Sequence, residues 1–161
     1  MLPAARPTNL LIFLVCLGAL LIAFYLEYFM YMEPCPLCMT QRIFVAAVGA
    51  LALLAFVHNP AQSGRRVYAW LGVVLAVGGG YFSSRQLWLQ SLPPELVPAC
   101  GPNLAFMFEA WPFMDTVRAM LHGDGNCAEI DRLFGINLVV LTLLLFIALG
   151  VSNLFQALRR R

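Results

Sequence analysis

Long uncharged stretches alternate with short polar ones along the chain, and the stretches share a length scale. Residues 7–26, 43–57, 67–84 and 133–158 contain no charged side chain. A helix needs about 20 mostly apolar residues to cross the hydrocarbon core of a bilayer, so each run predicts a spanning helix. The second is short alone and reaches a workable length if residues 39–42 form its first turn, with Arg42 near the interface. The fourth is long enough to tilt or to extend past the bilayer. Helices are expected at about residues 8–26, 39–57, 67–89 and 134–156, with connections at about 27–38, 58–66 and 90–133. The first run leads directly into Glu27-Tyr28-Phe29 without a small-x-small cleavage pattern, so it reads as a retained helix and not a cleaved signal.

Composition agrees with the pattern: 61% of residues are hydrophobic and 11% charged, far from the soluble average. The expected fold is all-α, a four-helix transmembrane bundle forming one integral membrane domain, held by helix packing within lipid. The charge distribution adds orientation. Arg6, Arg65, Arg66, Arg159, Arg160 and Arg161 sit in the two tails and the 58–66 turn, where there is no acid. Glu27, Glu33, Glu95, Glu109, Asp115, Asp124, Glu129 and Asp131 all lie in or beside the other two connections. Retention of positive charge on the cytoplasmic side puts both termini inside and the 27–38 and 90–133 connections outside, in a compartment where disulfides persist. Nothing in the charge pattern calls for a nucleic-acid partner.

Pro93, Pro94 and Pro98 break the start of the long outer connection, because proline removes a donor and restricts its predecessor. An extended, mobile strap carrying Cys100 is expected there. Residues 103–121 mix Leu, Phe, Met and Trp with Glu109, Asp115 and Arg118, too polar to span. A short amphipathic helix in the interface, about residues 112–121 with Pro112 in its first turn, fits better. Residues 122–126 then read as a turn that swings Cys127 into reach. Gly78-Gly79-Gly80 predicts close helix packing, while Tyr28, Tyr31, Trp70, Tyr81, Trp88 and Trp111 read as interfacial anchors.

The sharpest chemistry is Cys35-Pro36-Leu37-Cys38, with Cys100 and Cys127 further on. Two cysteine pairs on one membrane face suggest electron transfer. A helix beginning near Cys38 would favour its thiolate through the helix dipole, and Arg42, four residues on, would lie on the same face one turn deeper. A guanidinium within a spanning segment is costly, so something must offset it. Metal ligation is not expected, because Cys100 and Cys127 lie 27 positions apart and form no second Cys-x-x-Cys. A purely structural role is disfavoured, since so small a loop restrains little chain. Cys16, in the middle of the first run, reads as a buried apolar thiol. His58 and His122 sit outside the helices, and Asp124, Glu129 and Asp131 read as a solvated face.

Cys35-Pro36-Leu37-Cys38-Met39-Thr40-Gln41-Arg42 before the second helix, Pro98-Ala99-Cys100-Gly101-Pro102 after the third and Gly125-Asn126-Cys127-Ala128-Glu129 before the fourth resemble the disulfide bond formation protein B (DsbB) family, in order and spacing over nearly the whole chain. The resemblance implies a bacterial inner-membrane oxidoreductase that reoxidises a periplasmic thioredoxin-like dithiol oxidase (DsbA type) and passes electrons to a quinone, ubiquinone or menaquinone. It implies resting disulfides Cys35-Cys38 and Cys100-Cys127. Cys100 would form the mixed disulfide with the partner, Cys127 would attack Cys35, and Cys38 would meet the quinone beside Arg42. Where some relatives carry a histidine outside the third helix, this chain offers Gln86 as a hydrogen-bond donor, and where some carry an acid before the arginine, it has Gln41. Two alternatives are a vitamin K epoxide reductase-like oxidoreductase, whose quinone-proximal Cys-x-x-Cys lies at a late helix, and a non-enzymatic scaffold with structural disulfides.

Overall fold

The computed structural model describes residues 5–102, 104–130, 132–133 and 135–159; Asp131, Arg160 and Arg161 lie outside the described residues. Four helices are long and apolar enough to cross a membrane, and they form a four-helix bundle: α1 (Ala5–Met30), α2 (Pro36–His58), α3 (Gln62–Gln90) and, last in the chain, α6 (Leu138–Leu158). Between α3 and α6 lie two short helices, α4 (Leu104–Ala110) and α5 (Phe113–His122), a 3-10 turn at Gly125–Ala128, and a minimal antiparallel hairpin of β1 (Arg132–Leu133) and β2 (Ile136–Asn137).

Helix ends follow local chemistry more than hydropathy. α1 continues to Met30, so Glu27 is helical. α2 starts at Pro36, whose missing N–H costs nothing in a first turn, and Cys35 is its N-cap. The helix therefore begins right after the first cysteine, earlier than the apolar run indicates. α3 starts at Gln62, which shortens the turn after α2 and places Arg65 and Arg66 in the first turns of a helix. α6 starts at Leu138, later than the uncharged run, because Gly135 at φ +83° turns the hairpin and Asn137 caps the helix by accepting from the Val139 N–H at 2.9 Å. Asn137 Nδ2 also donates to Gln90 Oε1 at 2.6 Å, tying this start to the end of α3.

α1 packs along α2, α2 along α3, and α3 along α6. Small residues set each approach, as expected where lipid provides no hydrophobic drive for helix association. Gly49 of α2 faces Cys16 of α1, where an added Cβ would come within 2.9 Å of the Cys16 Cβ. Gly78 receives Phe44 of α2, Gly79 receives the ring of Phe146 of α6, and Gly72 receives Asn153. The glycine triplet is thus a packing device, as anticipated, and Cys16 is a buried core thiol. The six aromatic residues read as anchors are all exposed on the outside of the bundle.

The outer connection holds two helices where one was expected, because Trp111-Pro112 breaks the apolar stretch: Pro112 N-caps α5 and cannot continue α4. α5 is amphipathic. Thr116 and Met120 are buried, while Phe113 and Met114 are exposed. Thr116 Oγ1 donates to Met107 O at 3.1 Å, fastening α5 to α4, and Thr40 Oγ1 donates to Met120 O at 3.0 Å, fastening α5 to α2. Gly123, at φ +74°, lies against Leu37 and Leu89. The long connection is therefore seated on the same end of the bundle as the start of α2.

Candidate active site

Cys35, Cys38 and Cys127 meet at that end. Cys35, Leu37, Leu89 and Cys127 form a buried cluster against which Cys38 packs. All five cysteines are unbonded. Cys35 Sγ lies 3.0 Å from Cys38 Sγ and hydrogen-bonds Cys127. The Cys38 backbone N–H donates to Cys35 Sγ at 3.4 Å, so the free amide at the helix start serves the first cysteine and not the second. The Cys35 thiol is pushed far above its ordinary pKa, most by the side-chain hydrogen bond with Cys127, then by that with Cys38, then by burial. Cys35 consequently keeps its proton in the reduced state.

Gln86 of α3 spans the pair. Its Nε2 donates to Cys35 Sγ at 3.3 Å and to Cys38 Sγ at 3.2 Å, and its Oε1 accepts from Gln41 Nε2 at 2.7 Å. Both glutamines are buried. The Gln41 amide fixes the Gln86 amide so that its N–H groups face sulfur, a hydrogen-bonded chain of the kind a low-dielectric interior strengthens.

Arg42 is held from α1. Its guanidinium does not hydrogen-bond Cys38: Nη1 pairs with Glu27 and touches Met39 Sδ at 3.8 Å, Nη2 donates to Ala23 O at 3.2 Å, and the group lies 5.5 Å over the Phe24 ring. The offset for a cation in a spanning helix is therefore the Glu27 carboxylate with help from α1. Arg42 and Cys38 still share a boundary. A cleft of about 290 Å³ has Cys38, Gln41, Arg42 and Gln86 at its polar end. Its walls are Ala19, Ala23 and Leu26 of α1 and Leu138, Leu141 and Leu145 of α6, with Met32, Glu33 and Glu129 at the rim. An apolar slot ending in a few convergent polar groups is the usual form of a small-molecule site.

Cys100 is exposed on the irregular strap after α3. Residues 98–101 lie on the 124–126 turn. The Gly125 N–H donates to Ala99 O at 3.2 Å, the Gly101 N–H to Asp124 Oδ2 at 3.2 Å and Asn126 Nδ2 to Gly101 O at 3.1 Å. Gly125 has no Cβ because one would come within 3.1 Å of Cys100 Sγ and overlap Pro98 O. Asp124, expected in a solvated face, is instead a central acceptor, whereas Glu129 is exposed at the cleft rim. Glu27 and Asp124 are the residues to which the motifs assign no role. The available signal was a carboxylate at the end of an apolar run, matching the cation that needed an offset. The two histidines stay outside the site: His58 bonds Tyr68 at 3.1 Å, and His122 Nδ1 lies 3.0 Å from Arg118 O. Among the described residues no group of ligating side chains could hold a metal ion.

A multi-pass helical bundle with a paired Cys-x-x-Cys, a third cysteine against it and a fourth exposed is the architecture of a membrane-embedded thiol-disulfide oxidoreductase. Residues 5–156 match the family of disulfide bond formation protein DsbB. The chain is 44% identical over 160 residues to disulfide bond formation protein B of Saccharophagus degradans, covering 99% of this chain and 96% of the relative. It is 47% identical over 156 residues to that of Methylococcus capsulatus (96% and 95%) and 40% identical over 162 residues to disulfide bond formation protein B 1 of Pseudomonas aeruginosa (99% of each). The chain belongs to the DsbB family.

Proposed function

We propose that the protein reoxidises a periplasmic thioredoxin-like dithiol oxidase of DsbA type and delivers the electrons to a membrane quinone, ubiquinone or menaquinone. The carrying observation is the position of Cys38: it borders a cleft walled by α1 and α6 and lies 3.0 Å from Cys35, which in turn touches Cys127. A continuous line of sulfur thus runs from the outer turn to the apolar slot. The acid-free arginine segments support a bacterial inner-membrane location with both termini cytoplasmic and the cysteines periplasmic.

In this reading the resting bonds are Cys35-Cys38 and Cys100-Cys127. A partner thiolate attacks exposed Cys100, forming a mixed disulfide and releasing Cys127. Cys127 then attacks Cys35, so the Cys35-Cys127 bond forms as Cys35-Cys38 breaks, and Cys38 leaves as the thiolate beside the cleft. Each exchange makes one S–S bond and breaks one. Gln86 donates to the Cys38 sulfur, Gln41 holds Gln86, and Arg42, held by Glu27, places positive charge at the polar end. A bound quinone supplies the two-electron acceptor that makes regeneration of a strongly oxidising disulfide favourable.

The test uses the purified full-length protein, a reduced thioredoxin-fold dithiol protein and a ubiquinone or menaquinone homologue. Quinone reduction is expected with the wild type and none with Cys38→Ser, which still forms the mixed disulfide at Cys100. Undiminished turnover in Cys38→Ser would reject the assignment.

A further inference from the structure

We propose that the two protons taken up with the electrons enter the cleft from the outer face at Glu129, so that a turnover carries no proton across the membrane. The inference rests on the function proposed above and adds to it a route and a residue. Oxidation of a partner dithiol to its disulfide releases two electrons and two protons, and reduction of a quinone to a quinol consumes two of each, so the step balances without a further reagent. The electrons arrive by way of Cys38 at the polar end of the cleft. The protons need a path of their own.

The polar opening of the cleft faces outward. Glu33, Gln90 and Glu129 line it where the outer connections meet the ends of α3 and α6. Glu129 is exposed, and its backbone is fixed at that mouth: Gln90 Nε2 donates to Glu129 O at 2.9 Å, while Gln90 Oε1 accepts from Asn137 Nδ2 at 2.6 Å. Glu129 thus borders both outer water and the slot that holds Cys38. Deeper in, the walls turn apolar, with Ala19, Leu20, Val45 and Leu145. Beyond these, Ile12, Cys16, Val48, Ala76, Phe146 and Leu149 pack into one buried cluster without a charged group. Asn9 and Asn153 lie on its far side, in a separate small pocket with Arg65 of the 62–66 turn of α3. An apolar layer of this kind stays dry and makes a charge within it costly. It closes the cytoplasmic route.

The test reconstitutes the full-length protein in lipid vesicles that enclose a pH dye, with a ubiquinone homologue in the bilayer. A reduced thioredoxin-fold dithiol protein added outside engages only the molecules whose cysteine face is outward. The interior dye is expected to stay flat while quinone is reduced. Loss of two interior protons per quinol formed, reversed by a protonophore, overturns the proposal. Glu129→Gln is expected to slow quinone reduction in a single turnover about tenfold, less than the loss of a fully enclosed proton donor because water reaches the rim. Added imidazole, a diffusible acid, should restore most of that rate, as a merely structural defect would not allow, and Glu129→Asp should stay within about threefold of wild type. A Glu129→Gln rate within about twofold of wild type, or a loss that imidazole does not restore, overturns the proposal. Without turnover, a membrane-impermeant carbodiimide applied outside with an amine should label Glu129, and absence of that label overturns the proposal as well. Failure of the wild type itself to reduce quinone overturns instead the function on which it rests.

Discussion

Removing the Glu27 carboxylate should cost the bundle stability through Arg42, and a double-mutant cycle isolates how much. Both side chains are largely shielded, at 17% and 25% relative exposure. Unit charges about 4 Å apart attract by about 4 kcal/mol at an effective dielectric of 20. Residual solvent exposure screens part of this, and desolvation of both groups opposes it, leaving a coupling of about 1–3 kcal/mol. Glu27→Ala alone leaves an arginine without its counter-charge in a spanning helix, with Ala23 O, Met39 Sδ and the Phe24 ring as its remaining contacts, a loss of about 2–3 kcal/mol. Arg42→Met alone strands a carboxylate. The double variant should lose less than the sum of the two, since two compensated absences replace two uncompensated charges. Equilibrium unfolding of the four proteins in mixed detergent micelles measures the cycle. Strict additivity, within about 0.3–0.5 kcal/mol, would refute the view that Glu27 is what makes Arg42 tolerable in α2.

Gln86→Leu should remove the donors to both sulfurs and orphan the Gln41 amide, costing about 1–3 kcal/mol; adding Gln41→Leu should restore stability but not quinone reduction, as thermal unfolding and turnover would show. Gly79→Ala should destabilise by about 1–3 kcal/mol through overlap with the Phe146 ring, whereas Gly80→Ala, whose Cβ meets only Phe146 Cβ at 3.8 Å, should be close to neutral in the same melts. Because the folded Cys35 pKa lies above its unfolded value, the reduced protein's Cys35 contribution is complete below about pH 8.5 and falls progressively as pH rises past the unfolded pKa toward the higher folded one; Cys35→Ser should flatten that decline in chemical denaturation between pH 8 and 10. Timed alkylation of the reduced protein should label exposed Cys100 first and buried Cys16, Cys35 and Cys127 last; early labelling of Cys127 would contradict its burial.

Hydropathy located the spanning helices because lipid leaves few alternatives: a backbone in hydrocarbon must satisfy itself, and helices do so within one segment. Their ends were less legible. The starts of α2 and α6 depend on Cys35 and Asn137 as caps, and side-chain hydrogen bonds leave little trace in a hydrophobicity profile. The closeness of Cys35 and Cys38 was readable from their spacing, whereas Gln86 stood out only through the family resemblance and not through any spacing. The partner of Arg42 was not, because Glu27 lies 15 positions away and meets it only when α1 packs on α2. Asp124 was misread for a related reason. An aspartate between two glycines looks like an ordinary solvated turn until the 98–101 strap lies across it. The break between α4 and α5 at Pro112 was within reach of sequence rules, and the apolar character of the whole 103–121 stretch obscured it.

In the proposed relay, electrons leave the chain at Cys38 through the cleft between α1 and α6. A photoreactive quinone analogue, illuminated with the full-length protein in lipid bilayers and mapped by mass spectrometry, tests it most directly. Labelling is expected on residues 19–26 of α1 and 138–145 of α6, with loss of label on adding excess unmodified quinone. Competable labelling confined to the outer surface of α3 or to the α4–α5 segment would contradict the account.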